Sequence, residues 1–121
     1  MATLSAEAKS LITLTHPGFI ATADKTGRPN VSPKGSFRVL DDEHVVFADI
    51  HSPHTIANLS ENPQVSAIVY DPATRHGCRI WGPAQVFGPG ELLDKVNAEL
   101  AARNMTAQHV VVISIDDFVT F

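Results

Sequence analysis

Apolar positions recur along this chain at two periods, and the switches between them mark out the elements. Leu4, Ala8, Leu11, Ile12 and Thr15 fall at helical spacing, and His16-Pro17-Gly18 stops that helix. Phe19 to Ala23 is a short apolar strand, and Asp24-Lys25-Thr26-Gly27 has hairpin-turn chemistry. A second strand runs from Pro29 into Phe37 or Leu40, interrupted near Pro33 and Gly35. Proline and glycine inside a strand mark an edge, a bulge or a close approach to the backbone. His44 to Ala48 gives a third strand and Ser52 to Glu61 a short helix, ended by Asn62-Pro63. Val65 to Tyr70 and Cys78 to Phe87 are the fourth and fifth strands, the latter with a bend at Gly82-Pro83. Glu91 to Asn104 is helical, with Leu92, Leu93, Val96 and Leu100 on one face, and Val110 to Ile115 is a sixth strand. Six strands, short turns and short helices predict a mostly β (α+β) domain, an antiparallel barrel with helical caps spanning residues 1–121. The alternating strand–helix rhythm of a parallel α/β fold is missing, as is a glycine-rich dinucleotide fingerprint.

Composition narrows the functional classes. The chain has 121 residues, 44% of them hydrophobic and 18% charged, which fits one folded domain rather than a disordered segment. Nine Lys and Arg against 13 Asp and Glu leave a charge of −4, with no basic stripe for nucleic acid. No apolar run has the length of a membrane span, and Met1 to Leu14 carries Glu7 and Lys9, unlike a signal peptide. The single cysteine, Cys78, excludes an internal disulfide and fits a reducing, cytoplasmic setting. Cys78 lies in an apolar strand with no base in view, so it reads as a buried, inert thiol.

Three stretches carry candidate chemistry. In Ile50-His51-Ser52-Pro53-His54-Thr55, Ser52 suits an N-cap and Pro53 the first helical position. Such a start aims free N–H groups and the positive helix end at an anion, with His54 and Thr55 adding donors. The residues alone leave two readings open, an ordinary capped helix and a phosphate site. His51 and His54 form an H-x-x-H pair without a third ligand, so no metal site is assigned. In Val31-Ser32-Pro33-Lys34-Gly35-Ser36, the side chains of Ser32 and Lys34 share one face. A ligand-facing and a solvent-facing lysine both fit that pattern. Arg79 and Trp81 share a face of the fifth strand beside Gly82, where ligand stacking and simple core filling are both open. His16, His44, His76 and His109 read as turn or surface residues.

The order and spacing of these stretches resemble the FMN-binding split-barrel family related to pyridoxamine 5'-phosphate oxidase. FIATADKTGRPNVSPKG is similar to that family's opening strand, D-x-x-G turn and second strand. SFRVLDDEHVVFADIHSPHTIANLSENPQVSAIVYD resembles its strand–strand–helix–strand segment, and GCRIWGPAQVF its next strand. The resemblance implies a six-stranded antiparallel split β-barrel with short capping helices. It also implies a homodimer holding two FMN molecules at the subunit interface. Phosphate contacts would come from Ser32, Lys34, Ser52, His54 and Thr55, with Pro33 in the same cofactor-lining strand. Ile50 and His51 would line the flavin through their backbone, and Arg79, Trp81 and Gly82 would face it across the dimer interface. Many members carry Arg or Lys where this chain has His54.

The activity implied is that of an FMN-dependent oxidoreductase of a small substrate, with the hydride chemistry held by the cofactor. Lys34 near the flavin's pyrimidine edge would stabilise a reduced, anionic flavin. The alternatives are a non-catalytic FMN carrier or electron-transfer protein, and a deazaflavin or heme binder on the same barrel. The longer oxidases end in a basic substrate segment, whereas this sequence ends Asp116-Asp117-Phe118-Val119-Thr120-Phe121. Vitamin B6 oxidation is therefore not expected.

Overall fold

The computed structural model describes all 121 residues. Helix α1 (Ala6–Leu14) starts where Ser5 Oγ accepts the Ala8 N–H at 3.1 Å, and it buries Ala8 and Ile12. Burying an isoleucine side chain such as Ile12 contributes roughly 1.5–3 kcal/mol. Strands β1 (Gly18–Ala23) and β2 (Pro29–Lys34) form a hairpin, followed by β3 (Arg38–Asp41), β4 (His44–Asp49) and helix α2 (Pro53–Glu61). Strands β5 (Gln64–Asp71) and β6 (His76–Phe87), helix α3 (Glu91–Leu100) and a 3-10 turn (Ala101–Arg103) come next. Strands β7 (His109–Ser114) and β8 (Asp117–Thr120) complete the chain.

The strands are ordered β2-β1-β5-β6-β7-β4-β3, all antiparallel, with β8 added on β6. Twelve-residue β6 ties the two halves together: its first part pairs with β5 and β8, and Ala84 to Phe87 pair with β7. The halves join at Gly82, where an added Cβ would lie 1.8 Å from the Ser114 carbonyl oxygen. The sheet curls, and no ladder joins its end strands β2 and β3, so the barrel stays split along that seam.

The expected six strands are eight. The long second strand is broken into β2 and β3 because Phe37 turns inward at Gly35–Phe37 and is buried, its N–H on the Lys34 carbonyl at 3.3 Å. Strand β8 forms because Asp117 to Thr120 find the free edge of β6.

Strand β4 explains its unbroken apolar run by being buried on both faces. Val45 and Phe47 enter the main core with Ile12, Ile20, Phe37 and Ile80. Val46 and Ala48 face a second core with Leu93, Val96 and Leu100 of α3. Burial pushes the Cys78 thiol up to about 11, with Glu7 adding to the shift, as expected of an inert cysteine.

Candidate functional site

The seam between β2 and β3 sets the site. Strand β2 is an edge strand, which is where Pro33 and its missing N–H are tolerated. The turn that follows is held against β4 by Ser36 Oγ, which accepts the Ala48 N–H at 2.9 Å. This fastening leaves Lys34 across from the start of α2, and its ammonium donates to Ser52 Oγ. Helix α2 is itself fixed to β1 through Asn58, whose amide donates to Thr22 Oγ1 at 3.0 Å.

Pro33, Lys34, Ile50, His51 and Ser52 all border one cleft of about 360 Å³, together with Arg103 of the turn after α3. Lys34 lies half-buried, 5.9 Å from the centre of the Phe47 ring. Burial lowers its pKa from the usual lysine range, and the Asp49 carboxylate partly offsets that shift. A desolvated ammonium with one hydroxyl partner retains donors for an anion at the cleft. Ser32 shares the Lys34 face, two residues back, as the strand period requires.

Within this cleft Ser52 also opens α2, while His54, Thr55 and Gly82 are not among its lining residues. Ser52 occupies the N-cap position of α2, yet its side chain makes no capping bond and accepts from Lys34 instead. His54 is exposed on the first turn, whereas Thr55 is buried, with Leu59, on the α2 face turned to the interior. Gly82 is buried at the crossing of β6 over Ser114.

Arg79 and Trp81 do share a face, with the guanidinium carbon 5.8 Å from the Trp81 ring centre and 5.7 Å from that of Phe121. That face is the other side of the sheet from Lys34. Cross-strand partners share a face, and one row of them runs Pro33, Phe19, Ile68, Arg79, Val119. The next row runs Val31, Ala21, Ser66, Trp81, Asp117. This outer face leaves Phe19, Val31, Tyr70, Trp81, Val119 and Phe121 exposed, Val31 at 67%.

Two functional candidates were not visible in the sequence reading. Asp49, at the end of β4, is 2% exposed and uses both carboxylate oxygens. Oδ1 accepts the Ser52 N–H at 2.8 Å, and Oδ2 meets His109 Nδ1 at 2.7 Å. His109 is therefore a half-buried member of this cluster and no simple surface residue. The two are brought together by the β4–β7 ladder, in which Asp49 pairs with His109.

A second cavity of about 400 Å³ adjoins the cleft along Gly35, Ser36, Ala48, Leu100 and Arg103. Phe37, Val46 and Val96 line it, and an Arg38–Glu99 ion pair at 3.2 Å clips α3 to β3 at its rim. No helix is long and apolar enough to cross a membrane.

Comparison with known proteins agrees with this architecture. HupZ of Group A Streptococcus superimposes with a TM-score of 0.90 at 24% identity, over 98% of this chain and 94% of that one. A pyridoxamine 5'-phosphate oxidase candidate from Lactobacillus delbrueckii gives 0.84 at 26% identity, over 97% and 93%. An uncharacterized protein of Methanocaldococcus jannaschii is 46% identical over 50 residues, which are 40% of this chain and 34% of that protein. The family described as pyridoxamine 5'-phosphate oxidase matches residues 4–119. The chain thus belongs to the pyridoxamine 5'-phosphate oxidase family and has its split-barrel fold.

Proposed function

We propose that the protein binds FMN in the seam cleft and serves as an FMN-dependent oxidoreductase of a small substrate, with two copies of the chain completing each site. The observation that carries this reading is the division of the candidate residues between two faces. Lys34 and Ser52 meet at the seam, while Arg79 and Trp81 stand on the opposite face within an exposed apolar strip. One chain cannot bring both sets onto a single ligand. A second chain docked on the apolar strip would supply the missing wall, and burying such a strip is what drives association.

The cleft fits a phosphate-bearing, planar cofactor. Lys34 offers a charged donor already stripped of much of its water, and Ser52 a hydroxyl at the first residue before α2. At Gly35, beside them, no atom lies within 4 Å of where a Cβ would sit, which leaves room for a ring system. Bound there, FMN would supply two-electron redox chemistry that the side chains of this chain lack. The chain's own part is then to bind, orient and exclude water: Lys34 and Ser52 hold the polar portion, and the partner's Arg79 and Trp81 cover the ring. The adjoining 400 Å³ cavity is the space assigned to the small substrate.

The absorbance spectrum of freshly purified protein tests this reading. Flavin bands, or quenching of added FMN fluorescence, are expected. A Soret band would assign heme to the barrel instead, and a colourless protein that leaves FMN fluorescence unchanged would overturn the proposal. Stopped-flow reduction by NADH or NADPH then separates an enzyme from an FMN carrier, since a carrier turns over with neither.

A further inference from the structure

We infer that the buried Asp49–His109 pair is a specificity-determining element: through its charge it sets how strongly the cleft prefers a phosphate-bearing flavin over one without phosphate. This inference rests on the flavin reading above and concerns residues that reading does not use.

Asp49 is the only buried acid of the chain. A carboxylate removed from water has to be matched by donors or charge. Its oxygens are both engaged, one by the Ser52 N–H and the other by His109 Nδ1. An ionised carboxylate only accepts hydrogen bonds, so His109 carries its hydrogen on Nδ1 toward Asp49, leaving Nε2 for the outside. His109 is about one-third exposed. The backbone braces the pair, because Gln108 N–H donates to the Asp49 carbonyl at 2.8 Å. Asn97 holds the preceding residue, Ala107, through both its N–H at 2.7 Å and its carbonyl at 3.3 Å.

The consequence follows from where Asp49 sits. It takes the N–H of Ser52, the residue that opens α2 and whose hydroxyl receives Lys34. An internal anion is therefore already installed at the place where an external phosphate would bind. With His109 neutral, Lys34 and Asp49 cancel, and Arg103 is the remaining fixed cation of the cleft. With His109 protonated, the cluster carries one positive charge. The other charged or titratable groups lining the cleft are His51 beyond β4 and Arg103 on the turn after α3, while His54 is exposed on the first turn of α2. Of all these, only His109 and Lys34 pair directly with Asp49, by a hydrogen bond and by charge.

The test compares FMN with riboflavin, which has the same ring and no phosphate, by fluorescence quenching at pH 6 and pH 8. For the wild type, His109→Gln and His54→Gln, the ratio of FMN to riboflavin affinity is the readout. Titration of the FMN phosphate is common to all three, so differences between them belong to the protein. His109→Gln is expected to lower this ratio about tenfold at pH 6. His54→Gln is expected to follow the wild type at both pH values. Asp49→Asn keeps an oxygen for the Ser52 N–H and removes the charge, so it should raise the ratio at pH 8. Equal weakening of FMN and riboflavin by His109→Gln would mean a merely structural pair and would overturn the inference. So would an unchanged ratio at pH 6, or a loss that follows His54 instead. Wild-type protein that binds neither flavin would defeat the flavin reading itself, a result distinct from these.

Discussion

The two faces of the sheet differ in how complete they are within one chain. At the seam, polar groups are matched to one another: Lys34 to Ser52, Ser52 to Asp49, Asp49 to His109, and Ser36 to the β4 backbone. No buried side-chain nitrogen or oxygen in the molecule lacks a partner. The outer face shows the reverse, with Phe19, Val31, Tyr70, Trp81, Val119 and Phe121 left in water and only Arg79 laid across two of the rings. Isolated exposed apolar residues need no explanation, but rows of them on neighbouring strands do. On the function proposed above, the seam receives the ligand and the outer face a second chain.

The largest break in this comparison is a charge placed on the outer face. Phe19→Asp leaves the core untouched, because Phe19 is 43% exposed and points away from it. The variant is expected to stay folded and to lose self-association by about 100-fold or more, read by sedimentation. FMN affinity should fall with it if the partner's Arg79 and Trp81 cover the ring. An unchanged sedimentation profile would remove the outer face as an interface. Gly82→Ala probes the interior by contrast. Its Cβ would meet backbone at Ser114, so neither side can yield by a rotamer change. A loss of about 3 kcal/mol or more is expected in urea unfolding, with residual FMN binding per folded molecule unchanged.

Smaller effects sharpen the seam. Lys34→Met keeps the apolar stem and removes a charge that burial disfavours. FMN affinity should fall about tenfold, while thermal stability holds or rises. The sign follows from linkage: the folded pKa lies below the ordinary lysine value of 10.5, so the unfolded chain binds the proton more tightly. Between those two values, stability of the wild type increases with pH, and the variant lacks that increase. A drop in melting temperature for Lys34→Met would contradict this.

The smallest effect concerns the β1–β2 turn. The Asp24 carboxylate accepts from the Thr26 hydroxyl at 2.7 Å, the Thr26 N–H at 2.8 Å and the Arg28 N–H at 3.0 Å. These bonds, the Thr26 hydroxyl first, hold its pKa below the usual 3.8. Its stabilisation is complete above that value and is lost as pH falls through the lower folded pKa. Asp24→Asn should therefore be less stable than the wild type near neutrality, with the difference closing as pH falls through that window. Parallel curves would show that the turn contributes nothing.

The contrast between the faces was partly legible in the sequence. Period-two alternation put Ser32 with Lys34 and Arg79 with Trp81, and both pairings hold. What alternation within one strand cannot give is the relation between strands, so that the two pairs lie on opposite faces emerges only from the ladder register. Thr55 looked like a cleft donor because helix starts offer donors, yet which side of α2 faces inward is decided by packing against the sheet. Phe37 broke the second strand because it fills the core, a tertiary demand that its neighbours in sequence do not reveal. Asp49 and His109 stand 60 residues apart, and no spacing rule connects them. Their partnership exists because β4 and β7 pair in that register.

On the function proposed above, a flavin site here is completed by two chains. Native mass spectrometry of the FMN-saturated protein addresses it most directly. A species of two chains carrying two FMN molecules is expected, with the flavin lost when Phe19→Asp separates the chains. A single chain retaining one FMN with wild-type affinity would contradict it.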